Sequence, residues 1–260
     1  MELRTVNLTR YIVPLREGGS LPALAEAGDG FKYVIKFRGA GHGTKALVAE
    51  LIGGMMAKQL GLLVPELVLV NVDEAFGRSE PDAEIQDLLK ASRGLNIGLH
   101  FLSGAVTYDP VTTKINDVLA SRVVWLDSFL TNVDRTAKNT NMMLKYRELW
   151  LIDHGSMLYF HHSWDNWREQ ALSPFSMIKN HVLLPWANRL EEVNEQFRSL
   201  ITPQIIEEIV QMIPDDWLNW YLEGESPQDL RDVYSEFLSS RLNNSQIFIN
   251  EAKHAREILI

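Results

Sequence analysis

Five polar residues stand out for the chemistry that their types and spacing would support. Lys36 interrupts the apolar and aromatic run YVIKF, and Glu50 lies further on in KALVAELIGG. Asp134 and Asn139 are five apart in NVDRTAKN, and Asp153 stands between Ile152 and His154-Gly155. A lysine held by a glutamate is a fixed cation for phosphate oxygens. A carboxylate in a polar loop accepts a proton from a hydroxyl, and a second carboxylate with an amide oxygen suits a hard divalent cation. Each residue also has an ordinary reading. Lys36 is equally a solvated strand-edge residue and Glu50 a solvated helix residue. DRTAKNTN is equally a turn whose Asp and Asn bond local backbone, and IDHG the turn that ends a strand. The ordered set Lys, Glu, Asp, Asn, Asp is what points to phosphate and metal together.

The elements that would position these residues follow from hydrophobic patterning. Alternation in FKYVIKF (31–37) places Tyr33, Ile35 and Phe37 on one strand face, with Val34 and Lys36 on the other. Residues 45–60 read as a helix with Leu47, Leu51 and Met55 on one face and Gly61 as its stop. If that helix packs over the sheet, Glu50 reaches Lys36. Further strands are expected at 11–15, 66–73 and 149–153. The stretch 16–30, with Gly18, Gly19, Gly28 and Gly30, reads as turn-rich. From residue 80 the chain reads as mainly helical: 80–92, then 115–132 with Val118, Val123, Leu126 and Leu130, then a tail from about 187 broken at Pro203, Pro214 and Pro227. The character changes near 74–80, so the expected organisation is a β-rich domain over 1–75 and a helical one over 76–260.

Composition narrows the classes. Of 260 residues 46% are hydrophobic and 23% charged, which is globular, and the net charge of −9 argues against nucleic acid or an anionic membrane as partner. With no cysteine there are neither disulfides nor thiolate metal sites. MELRTVNLTRYIVPLREGG lacks the apolar core of a signal peptide, and LGLLVPELVLV is too short to span a bilayer. A soluble cytoplasmic protein is the expectation. RGAGHGTKA sits where a phosphate loop would, but it ends Gly43-Thr44-Lys45 and its glycines are evenly spaced, so it reads as a strand-to-helix connector. His154, His161 and His162 lack the i, i+4 spacing of helical zinc sites and read as part of a segment, after Asp153, on which an acceptor docks. Trp164, Trp167, Trp186, Trp217 and Trp220 read as packing anchors.

The order and spacing of the five residues resemble the protein-kinase-like fold. The wording N-x-D-R-x-A-K-N followed by I-D-H-G resembles the HipA-like kinases more than eukaryotic protein kinases, which carry HRD and DFG. KALVAELIGGMMAKQLGLLVPE, an acidic helix residue and then an L-G-L-x-V-P-E turn into a strand, extends the resemblance from about residue 11 to about residue 165. Phosphoinositide kinases share a looser form. The resemblance implies an α+β, two-lobed fold with a small β-rich N-lobe and a larger helical C-lobe, working with ATP and Mg²⁺. It implies that Lys36, held by Glu50, contacts the α- and β-phosphates, that Asp134 is the catalytic base, and that Asn139 and Asp153 bind Mg²⁺. Gly18, Gly19 and Ser20 would form the loop over the phosphates, with Ser20 open to autophosphorylation, and the strand end at Val70–Val72 would be the adenine hinge. Thr136 stands where the family usually has His, and the chain is shorter than a full HipA toxin. The expected partner besides ATP is a protein or small-molecule acceptor, foremost a Ser or Thr hydroxyl of a protein. A nucleotide-binding pseudokinase scaffold is the alternative that the intact five-residue set disfavours. A small-molecule or lipid kinase is the other, with no basic or amphipathic membrane signal to favour lipid.

Overall fold

The computed structural model describes residues 3–15, 21–73, 76, 81–220 and 225–259. Its β-rich part is a closed five-stranded barrel with strand order β1-β2-β3-β5-β4. The strands are β1 (Thr5–Pro14), β2 (Ala23–Ala27), β3 (Lys32–Lys36), β4 (Leu67–Val72) and β5 (Gly94–His100). Neighbours run antiparallel except β1 and β4, whose parallel pairing, Val6 opposite Val70, closes the barrel. Tyr33, Ile35 and Phe37 fill its interior, as the alternation in FKYVIKF requires.

Two strands escape a reading by propensity. β2 lies in the stretch expected to be turn-rich, because ALAEA has few β-formers. Its alanines are buried opposite large side chains, Ala23 across from Ile35 and Ala25 across from Tyr33, so small residues are what a narrow interior admits there. β5 lies past the expected boundary at 75, yet it pairs with both β3 and β4. The span 76–260 therefore contributes a barrel strand, and the change in composition near 74–80 does not mark the end of the barrel. Two glycines in GLNIGLH dilute the strand pattern.

The connector after β3 leads into α1 (Gly43–Gln59), which stops before Gly61 at φ +69°. This helix is buried almost all round from Leu47 to Ala57, wedged between the barrel and the helices that follow. Next come α2 (Ala83–Ala91), capped by Asp82, and α3 (Asp117–Phe129), capped by Asn116. A second sheet of order β6-β7-β8 contains β6 (Val106–Thr107), β7 (Met142–Lys145) and β8 (Glu148–Leu151). The remaining helices are α4 (Trp167–Ala171), α5 (Leu190–Leu200), α6 (Pro203–Val210), α7 (Pro227–Asn243) and α8 (Gln246–Leu259). Pro203 and Pro227 open α6 and α7 rather than merely ending what precedes them, since a first-turn proline loses no helical hydrogen bond. No helix among the described residues is long and apolar enough to cross a membrane.

Trp125 on α3 anchors the helical core. Its ring meets Phe197 of α5 edge-on at 5.1 Å and Phe248 of α8 at 5.6 Å, and its indole N–H donates to Asn194 at 2.9 Å. Of the expected tryptophan anchors, Trp167 and Trp217 are buried, while Trp164, Trp186 and Trp220 are partly buried against the same core.

Arg241 on α7 is also buried. Its guanidinium donates to the carbonyls of Ser128 (2.7 Å) and Phe129 (2.8 Å) at the end of α3, and to those of Gln170, Ala171 and Ser173 around the end of α4. A cation at two helix C-termini satisfies carbonyls that have no partner within their own helix and matches their negative dipole ends. Burial lowers the Arg241 pKa to about 9, still well above neutrality. Arg241→Ala removes the shared donor of these carbonyls, of which Gln170 O keeps the backbone N–H of Ser173, and is expected to lower stability by at least about 3 kcal/mol in urea unfolding, with Arg241→Lys recovering only part because one ammonium cannot span both ends.

Candidate functional site

Lys36, at the end of β3, points away from the barrel core toward α1. Its Nζ lies 2.5 Å from Glu50 Oε2 and 2.5 Å from Asp153 Oδ1. Lys36 is 8% exposed and Glu50 0%. Burial alone would lower the pKa of Lys36, but the two carboxylates outweigh it and raise the value. Burial would likewise raise the Glu50 pKa, and the ammonium with His154 instead holds it at about 2. Glu50 is thus neither solvated nor on an exposed helix face. It reaches Lys36 because α1 packs beside β4 and β5.

Asp153 follows β8, and its backbone is left-handed, φ +55°. The segment is held firmly in place. Leu151 N–H donates to Leu63 O at 2.8 Å, beyond α1, and Ile152 N–H donates to Asn141 O at 3.1 Å. The second contact joins the Asp153 segment to the NVDRTAKNTN loop across the base of the β7–β8 hairpin.

In that loop Asp134 Oδ2 accepts from Asn139 Nδ2 at 2.8 Å and from Asn141 Nδ2 at 3.1 Å. Its Oδ1 accepts from no described residue. Asp134 N–H donates to Asn132 Oδ1 at 3.0 Å. Beneath the loop, Asp127 of α3 is fully buried and accepts from Asn132 Nδ2 (2.9 Å), Arg135 Nε (2.6 Å) and His181 Nε2 (2.7 Å). Because Leu183 N–H donates to His181 Nδ1, the imidazole hydrogen sits on Nε2 and points at Asp127. Arg135 also donates to Asn141 O, closing the loop on itself. Burial would raise the Asp127 pKa, but Arg135, His181 and Asn132 hold it at about 2.

The donors present fit a hard divalent cation. Asn139 spends its amide nitrogen on Asp134, which leaves its carbonyl oxygen for a metal, and Asp153 supplies a half-exposed carboxylate. One lysine faces two carboxylates, an excess of negative charge that such a cation would offset. No cluster of three or more His, Cys, Asp or Glu suited to a metal exists among the described residues, so two protein oxygens would be completed by water and phosphate.

Other expected residues lie elsewhere. Gly18, Gly19 and Ser20 are outside the described residues. The side chains of Val70 and Val72 are buried in the barrel core, and β4 pairs with β1 on one side at Val70 and with β5 on the other at both positions. Its backbone is therefore engaged in the sheet at both positions. The chain instead leaves the barrel at 101–105, after β5. His161 is buried against Tyr234 (Nδ1 to OH 3.0 Å), so of the three histidines only His162 is exposed to an acceptor. Asp127, Asn141 and His181 were not singled out from the sequence, Asn132 and Arg135 figured only as letters of the motif, and His154 only as part of a docking segment. The one available signal was a lone carboxylate, Asp127, inside the apolar stretch VVWLDSFL.

A buried lysine–glutamate pair between a five-stranded barrel and its packed helix, facing an Asp-Asn loop, defines a phosphotransferase of the kinase class. The HipA-like kinase family model matches residues 9–246, and the chain belongs to that family. No curated protein matches it. Among solved structures it is similar to the Helicobacter pylori proinflammatory kinase CtkA, with a TM-score of 0.58 and 13% identity over 100% of this chain and 99% of that one. At that identity the likeness speaks for the fold.

Linkage gives the Asp127 network a pH signature. Its folded pKa of about 2 lies below the ordinary 3.8, so its contribution to stability is complete above the ordinary value and is lost as pH falls toward 2. Urea unfolding of the parent should therefore weaken steeply over that window. Asp127→Asn should start about 3–5 kcal/mol less stable at neutral pH, since Arg135 loses its buried partner, and then show a shallower acid slope.

Proposed function

We propose that the chain transfers the γ-phosphoryl group of ATP, with Mg²⁺, to a Ser or Thr hydroxyl of a protein, with Asp134 as the base. The observation that carries the reading is the state of Asp134. Two amides grip its Oδ2 and leave Oδ1 for an incoming hydroxyl, and the loop is bonded to the segment bearing Asp153. Oδ1 takes the acceptor's proton as the acceptor oxygen attacks the γ-phosphorus and the bond from that phosphorus to the β-phosphate oxygen breaks, releasing ADP, and Asn139 and Asn141 keep the carboxylate aimed. Lys36 orients the α- and β-phosphates, with Glu50 fixing its ammonium. Asn139 and Asp153 would hold Mg²⁺, which when bound supplies charge neutralisation at the phosphates. The crossing at 101–105 takes the adenine role in place of Val70 and Val72.

Asp134→Asn keeps the shape of the side chain and removes the proton acceptor. Phosphoryl transfer from γ-labelled ATP should fall roughly a hundredfold or more while ATP affinity changes little. Equal transfer by parent and variant removes the base assignment. A parent that binds ATP–Mg²⁺ tightly, yet labels neither itself nor a proteome extract, favours the scaffold reading. Asp153→Ala should weaken ATP binding or abolish its magnesium dependence. Calorimetry with the same magnesium-dependent affinity in both proteins would defeat the metal assignment.

A further inference from the structure

Glu50 needs more than Lys36 to hold its position. Lys36 contacts only Oε2, and a carboxylate held at one oxygen by a flexible ammonium is free to turn about its last bond. The structure provides two more donors, both from His154. Its backbone N–H donates to Oε2 at 2.8 Å, and its ring Nδ1 lies 3.2 Å from Oε1. A carboxylate only accepts, so the hydrogen is on Nδ1. The ring is fully buried, and no other described residue donates to Oε1.

The backbone of α1 is shaped around this contact. A Cβ at Gly53 would meet His154 Cβ at 2.6 Å and Met157 Sδ at 2.6 Å, so the helix and the 153–157 segment approach as closely as they do only because residue 53 has no side chain. Residue 154 is thereby placed one helical turn from Glu50. Its neighbour Asp153 holds the other side of Lys36.

We infer that His154 is a positioning residue for phosphoryl transfer: by donating to both oxygens of Glu50 it fixes the carboxylate that fixes Lys36, and so couples α1 to the Asp153 segment. The inference rests on the phosphotransferase reading for its catalytic consequence. Its structural half, the tethering of α1, stands on the contacts themselves. His154 touches neither nucleotide nor acceptor in this scheme. Without its ring donor, Oε1 is left unpaired where water does not reach it, and Glu50 rotates or α1 shifts to relieve it.

The test compares His154→Phe, which keeps a ring and loses the donor, with His154→Asn, whose Nδ2 replaces Nδ1. Phosphoryl transfer by the full chain should fall roughly tenfold to a hundredfold in kcat for the Phe variant, the scale for a misplaced positioning group, with a far smaller change in KM for ATP. The Asn variant should recover most of that loss. Amide hydrogen exchange over residues 45–57 should quicken in the Phe variant and stay near the parent in the Asn variant. Gly53→Ala should mimic the Phe variant, because the added methyl displaces His154. A Phe variant that matches the parent in exchange and turnover overturns the proposal. So does an Asn variant that fails like the Phe variant with the same loss of thermal stability, since packing alone would then explain both. If the parent transfers no phosphate, the phosphotransferase reading fails by itself. The exchange comparison then decides the tether: faster exchange confined to the Phe variant upholds it, and unchanged exchange overturns it.

Discussion

A lysine ammonium kept out of water between two carboxylates is the constraint around which the rest is arranged. Lys36 comes from the barrel, Glu50 from α1, and Asp153 from the segment after β8. Lys36 and Glu50 are both buried charges, and removing one partner of such a pair generally costs about 3–5 kcal/mol. β3 ends, α1 packs against β4 and β5, and the hairpin delivers residue 153 so that the three side chains meet at one point.

A second buried carboxylate organises the loop of Asp134 in a comparable way. Asp127 sits on a regular helix and collects the side chains of Asn132, Arg135 and His181. A polar loop over a hydrophobic core would otherwise sample many turns. Here its backbone and side chains are tied from beneath, and its last residue pairs with Ile152. The loop gets its order from a scaffold that solvent does not reach, while Lys138 and Asn139 at its surface remain exposed.

What was legible in the sequence follows the physics of each signal. β3 and α1 were visible because aromatic alternation and a long apolar helix pattern are strong and local. The proximity of Lys36 to Glu50 was visible because a strand followed at once by a helix has few ways to pack. The motif words carried the family. β2 was hidden because its alanines are selected by the width of the barrel, a tertiary property, and β5 because its glycines blur the alternation. The support beneath the Asp134 loop was hidden because Asp127 and His181 are 54 residues apart. Their partnership exists only after α3 and the 176–186 segment have met.

Arg241 carries a consequence for the order of assembly. It lies near the end of the chain, yet it holds the carbonyls of Ser128 and Phe129, where α3 gives way to the loop of Asp134. During synthesis the barrel, α1 and α3 emerge long before α7. Until residue 241 has left the ribosome, the last turn of α3 has an unsatisfied end and the loop beyond it lacks a fixed root. The nascent chain can thus hold a finished barrel while the root of the Asp134 loop still lacks the guanidinium that anchors it, and that anchor arrives late, with α7.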